Sequence, residues 1–209
     1  MKQSSQTLLF VAERKGINVK EQRLENILLS LKKLGFLSRS QIQKIHRLGG
    51  ERNANRVLKE MSGYLSSFRQ NENIYYLNKA GRERVGCEKV MKKTLQATHY
   101  LMRNELFIAF GCPANWKSEV KLEIPAVVSV VADAFFVRDS VYHIFEVDHI
   151  QKMNVNREKV KKYRKLLELN VFEKRPVFVW LTTTEYRRKQ LAKLCDGMNA
   201  KIYLSKDFH

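Results

Sequence analysis

VSVVADAFFV, residues Val128–Val137, and VYHIFEVD, residues Val141–Asp148, flank the tripeptide Arg138-Asp139-Ser140. Both segments are dense in β-branched and aromatic residues, and so short a polar link between two such runs makes an antiparallel hairpin. Side chains alternate across a strand, so Glu146 and Asp148 share a face, and pairing with the preceding strand brings Asp133 beside them. Acids that close repel one another unless a cation or a proton lies between them. Divalent metals taken up by such oxygen clusters can activate water for phosphodiester cleavage. The plainer reading of the same residues is a strand-end turn former at Asp133 and a helix cap at Asp148.

Outward from this hairpin the second half alternates between the two periodicities. A helix over Leu95–Phe110 and a strand over Trp116–Glu123 precede it. A helix at about Asn154–Leu169, a strand over Pro176–Thr182, a helix over Glu185–Met198 and a strand over Lys201–Leu204 come after it. A meander followed by helical crossovers gives a mixed sheet flanked by helices, an α/β unit over residues 94–207. On the helix after the hairpin, Val155, Val160, Tyr163, Leu166 and Leu167 define one apolar arc. Lys159 falls inside that arc. A lysine turned toward a sheet needs an acidic partner, unless its stem snorkels outward. Tyr163 lies on the same arc and reads as core.

The first half reads as a winged helix-turn-helix over residues 18–88, so the chain as a whole is α+β and α/β. Glu21–Leu34 carries Leu24, Ile27, Leu28, Leu31 and Leu34 as a helical stripe, and Gly35 stops it. Ser38 caps a short second helix through about Leu48, Gly49-Gly50 turns, and Glu51–Met61 forms a third helix. Val57, Leu58 and Met61 mark the inner face of that helix, whereas Arg52, Asn53, Asn55, Arg56 and Lys59 populate the outer one. Gly63-Tyr64-Leu65 and Ile74–Leu77 then flank a polar tip that starts at Arg69, a hairpin of wing size, and Asn78 caps the next helix. In such modules the third helix enters the major groove. Arginine pairs with guanine edges and asparagine with adenine edges, while Lys59 and Arg69 suit phosphate.

Charge points the same way. The 209 residues hold 39 Lys+Arg against 21 Asp+Glu, a formal +18. Residues 1–90 alone hold 18 Lys+Arg, eight Glu and no Asp. Charge of that size concentrates polyanions, which makes double-stranded DNA the first partner to expect. The short apolar run near the N-terminus suits neither a signal peptide nor a membrane span, so the expected location is the cytoplasm, with no membrane partner. Cys87, Cys112 and Cys195 are an odd number without close pairing and read as reduced thiols. His99, His143 and His149 lie apart in sequence, and no Cys-His pair, Gly-rich phosphate loop or Ser-His-Asp order occurs.

The order α-β-β-β-α-β-α-β, with an acid on the second strand and Glu-x-x on the third, resembles the PD-(D/E)XK, or restriction-endonuclease-like, superfamily. That resemblance implies Asp133 as the metal-binding aspartate and Glu146 as the acid of the second motif, with Mg²⁺ or Mn²⁺ as cofactor if the chain is catalytic. Asp148 stands where the superfamily usually has its lysine, and would add a third metal-binding acid. Some members carry the lysine on the following helix, which makes Lys159 the substitute catalytic residue. Glu105 and Glu119 are lesser candidates for the acid the superfamily often adds.

End to end, the chain resembles the replication-relaxation family of Gram-positive plasmids and integrative elements over roughly Gln22 to Lys174. The carriers are LLSLKKLGFLSRSQI, Tyr75-Tyr76-Leu77-Asn78-Lys79-Ala80-Gly81, Trp116-Lys117-Ser118-Glu119, Ala132-Asp133-Ala134 and Phe145-Glu146-Val147-Asp148, and after them the basic helix. Usual members have Pro before the aspartate, where this chain has Val131-Ala132. The family implies a DNA-binding role in plasmid replication, DNA relaxation or mobilisation, with replication or mobilisation proteins, or a second copy of the chain, as further partners. Three functions compete: a DNA-binding protein of a mobile element whose nuclease-like domain does not cut, a metal-dependent endonuclease or nickase, and a winged-helix transcription regulator with a dimerisation domain.

Overall fold

The computed structural model describes the backbone of residues 3–208 and the side chains of residues 19–208. The chain divides into two units, Met1–Thr94 and Leu95–His209. Its described residues form seven α-helices and two sheets, a mixed α+β architecture.

In the first unit α1 (Gln3–Leu34) contains the expected Glu21–Leu34 stripe, and Ile27, Leu28, Leu31 and Leu34 are all buried. Gly35 ends it with a φ of 83°, donating its N–H to Leu31 O. Left-handed backbone there is nearly free of strain only for glycine. The chain runs through β1 (Leu37–Ser38) into α2 (Arg39–Ile45), where Ser38 and Gln41 form a reciprocal capping box. This helix stops short of Leu48, because Arg47 adopts a φ of 50° before the Gly49 turn is reached. Helix α3 (Glu51–Glu60) buries Ala54, Val57 and Leu58. Strands β2 (Leu65–Arg69) and β3 (Asn73–Leu77) form a hairpin in register Leu65↔Leu77 to Arg69↔Asn73, and β1 adds to β3.

Asn78 locks the base of this hairpin to α4 (Lys79–Arg84). Its N–H donates to Tyr64 O, its side chain donates to Gly63 O, and its Oδ1 accepts from Gly81 N. A Cβ at Gly81 would lie 2.2 Å from Tyr64 O, which is backbone that cannot swing aside. Gly81→Ala is therefore expected to destabilise the first unit by about 2 kcal/mol. Urea unfolding followed by circular dichroism measures this, and an unchanged midpoint contradicts the tight approach.

The second unit carries a sheet in the order β4-β5-β6-β7-β8: β4 (Lys117–Ile124), β5 (Val128–Arg138), β6 (Val141–Asp148), β7 (Val177–Thr182) and β8 (Ala200–Leu204). The first three strands form an antiparallel meander, and β6-β7 and β7-β8 are parallel. Parallel neighbours need crossovers, which are α6 (Met153–Glu168) and α7 (Glu185–Leu194). Val160, Tyr163 and Leu166 of α6 and Leu191 of α7 pack with Val130, Ile144, Phe178 and Trp180 into one core. On the other face, α5 (Ala97–Ala109) and its C-cap Phe110 meet an aromatic layer: Phe107 on Trp116, and Phe110 edge-on to Phe145. No helix among the described residues is long and apolar enough to cross a membrane.

Candidate functional site

Strands β5 and β6 pair from the turn up to Ala134↔Phe145; beyond that rung β6 runs on beside β7 alone. Asp133 sits in the fork this leaves. Its Oδ2 accepts from the Val147 N–H at 2.7 Å, so a side chain replaces the missing ladder partner. On the β4 side the neighbouring residue Glu119 adopts a φ of 55°, between the rungs Ser118↔Ala134 and Val120↔Ala132. Left-handed backbone at a residue with a Cβ is strained and concentrates at functional positions.

Glu146 is next along β6 and points to the α6 face, where it is 1% exposed. Tyr163, itself fully buried, donates its hydroxyl to Glu146 Oε1. Lys159, one turn earlier on α6, donates to Glu146 Oε2 at 2.5 Å, and its Nζ lies 3.7 Å from Asp133 Oδ1. The ammonium thus bridges the two acids. His99 of α5 completes the cluster with Nε2 3.4 Å from Asp133 Oδ1.

The two carboxyls are driven apart in acidity. Burial raises Asp133, but the His99 hydrogen bond, the Lys159 charge and the Val147 N–H outweigh it and bring its pKa down to about 2. Burial and the adjacent Asp133 charge push Glu146 well above the usual carboxylate range, and Lys159 and Tyr163 counter this only in part. Burial disfavours the Lys159 charge, yet the two acids overcome it and hold the ammonium firmly protonated. Asp133 is therefore the ionised partner of Lys159, and Glu146 is the acid held toward its neutral form.

Asp148 does not join them. Its carboxylate is fully buried and receives Arg187 in a two-pronged contact, Nε to Oδ2 at 2.7 Å and Nη2 to Oδ1 at 2.5 Å. Asn156 and Thr182 donate to the remaining positions at 2.7 and 2.8 Å. Arg187 also reaches Gln151 O, so this pair fixes the loop between β6 and α6. The expected set of three metal-binding acids is thus not assembled: strand parity aims Asp148 the right way, but a guanidinium from α7 claims it. Among the described residues no three His, Cys, Asp or Glu side chains converge to hold a metal ion. The donor set of Asp133 and Glu146 does not fit a divalent cation either. Asp133 Oδ2 and both Glu146 oxygens are engaged, Asp133 Oδ1 faces His99 and Lys159, and Lys159 already stands between the acids.

Of the two lesser acids, Glu119 lines the same cavity as Asp133 and pairs with the buried Arg103 at 3.5 Å. Glu105 is half-buried on α5 and is not among the residues lining that cavity. His99 and Arg187 escape a reading of the sequence because each reaches its acid from a remote helix, and no local period marks such a contact. Cys195 is a buried core thiol that burial pushes up to about 11, as suits an unreactive group.

In the first unit Arg52, Asn55 and Lys59 are exposed on α3, and Arg69 is exposed at the hairpin tip. Asn53 has a different task from the one expected. Its Nδ2 donates to Leu48 O and its Oδ1 accepts from Arg56, so its amide closes the turn into α3. Arg56 also pairs with Glu60 one turn on. That ion pair is exposed and worth little, so Arg56 can exchange it for another anion.

A family model described as Replication-relaxation matches residues 28–179. Among solved structures, the crystal structure of protein VC1899 from Vibrio cholerae is similar at a TM-score of 0.39 and 14% identity, over 88% of this chain. The match covers 48% of that protein, so the chain spans about half its length. No curated protein matches the chain.

Proposed function

The chain belongs to the replication-relaxation family, which suggests a role in plasmid or mobile-element replication or relaxation, and from that premise we propose that it is a DNA-binding protein whose second unit engages DNA without cutting it. In this reading the first unit is a winged helix-turn-helix. The observation that carries it is the outer face of α3: Arg52, Asn55 and Lys59 are exposed on a helix whose other face is buried, and Arg69 stands at the tip of the following hairpin. A formal excess of positive charge over the whole chain supplies the attraction to the phosphate backbone.

The second unit has the order of a nuclease-like domain, but its cluster is arranged for cohesion. Cleavage calls for a metal to polarise water and for a cation free to meet developing charge at the phosphate. Lys159 is spent on Asp133 and Glu146, and Tyr163 closes the far side of Glu146. A metal-dependent nickase would have to open this bridge first.

Gel shifts with duplex DNA test the first unit. Arg52→Ala with Lys59→Ala is expected to weaken binding by about tenfold or more and to flatten the salt dependence by about one for each phosphate no longer neutralised. Unchanged affinity and unchanged slope would remove α3 as the DNA-binding element.

A further inference from the structure

A cavity of about 390 Å³ opens beside Asp133, between the start of α5 and the loop that joins β6 to α6. We propose that it takes one unstacked, amino-bearing nucleobase of single-stranded DNA. The proposal deepens the reading of the second unit as a DNA-engaging domain and rests on it.

Four observations select this ligand. The volume falls in the range of small-molecule sites and suits a single base with its sugar, not a helix of paired bases. Its rim carries Leu95 and Ile150, which line the cavity yet are 91% and 80% exposed. Two large aliphatic side chains at one opening offer apolar surface to the faces of a flat ring. Tyr100 on the wall adds an aromatic surface of the kind that single-strand binders use for stacking. Finally, the interior presents Asp133, a carboxylate that only accepts hydrogen bonds. Of the roughly four lone-pair sites of a carboxylate, His99 at 3.4 Å and Lys159 at 3.7 Å share Oδ1, whereas Val147 N–H takes only one on Oδ2, so one is left for a base donor.

That polarity fixes the orientation. A carboxylate accepts from the exocyclic amine of cytosine, adenine or guanine, whereas the single N3–H of thymine is flanked by two carbonyls that repel it. It also repels phosphate, so the base enters and the backbone stays outside at the rim. A base in a duplex cannot enter without leaving its stack, which makes single-stranded DNA the substrate form.

The test uses the full chain and fluorescence anisotropy with short labelled oligo-dC, oligo-dA and oligo-dT, alongside a duplex. Oligo-dC and oligo-dA are expected to bind about tenfold tighter than oligo-dT. Leu95→Ala with Ile150→Ala is expected to weaken single-strand binding about tenfold and to leave duplex binding unchanged. Asp133→Asn is expected to erase the preference for dC over dT. Equal affinity for the three homopolymers, no single-strand binding, or single-strand binding indifferent to the rim variant overturns the proposal. Loss of duplex binding in the α3 variant tests the separate reading of the first unit, so the two failures are distinguishable.

Discussion

Replacing Lys159 with Met is expected to destabilise the second unit by about 3 kcal/mol, because it strands two acids that the ammonium now joins. Asp133 and Glu146 then respond differently. Asp133 stays ionised and loses the ammonium that faces it, whereas Glu146 relieves part of the loss by taking up a proton. This sets the sign of the pH dependence. A carboxyl raised in the folded state binds its proton more tightly than in the unfolded chain, so its contribution is full below the ordinary glutamate value and is lost as pH rises through the raised one. Without Lys159 the Glu146 value climbs further, and the deficit of the variant is expected to widen from neutral to alkaline pH. Asp133 runs the other way: its contribution is present above the ordinary aspartate value and fades as pH falls toward about 2. Urea unfolding across pH measures both limbs. Glu146→Gln in the Lys159→Met background is expected to recover much of the loss, since the amide oxygen still accepts from Tyr163 and no second charge remains. A Lys159→Met protein as stable as the parent at alkaline pH would contradict the bridge.

Arg187→Met is expected to have an effect of similar size, again about 3 kcal/mol, through Asp148. Asp148 is fully buried, and burial alone would raise it; the Arg187 pair, with Asn156 and Thr182, brings it below its ordinary value. With the guanidinium gone, two neutral donors remain against a buried charge. The same change frees Gln151 O, so hydrogen exchange is expected to quicken in the His149–Gln151 loop that lines the cavity. If exchange there were unaltered, the role of Arg187 in holding the loop would fall.

The elements are legible in the sequence wherever a period is local. Alternation in Val128–Val137 and Val141–Asp148 marks β5 and β6, and the helical wheel turns Lys159 toward the sheet, where it meets Glu146. Parity alone does not assign partners, however. It puts Asp148 on the face of Glu146 but cannot see Arg187, which lies 39 residues away in sequence. Tyr163 is readable as core from the apolar arc, yet its hydroxyl contact with Glu146 depends on the depth of the strand, which spacing does not encode. His99 escapes for the same reason, since it reaches Asp133 from α5 across the sheet plane. The fork in which Asp133 sits is hidden as well, because a strand pattern says nothing about where a ladder opens.

Lys159 occupies the position between Asp133 and Glu146, and in the proposed function this leaves the second unit able to hold DNA without cutting it. Incubation of the purified full chain with supercoiled plasmid and Mg²⁺ or Mn²⁺ tests that reading. The plasmid is expected to stay supercoiled while gel shifts of the same samples show it bound. Nicking by the parent protein that disappears in Asp133→Ala and falls in Lys159→Ala, with binding retained, would show instead that the bridge opens into a working nuclease site.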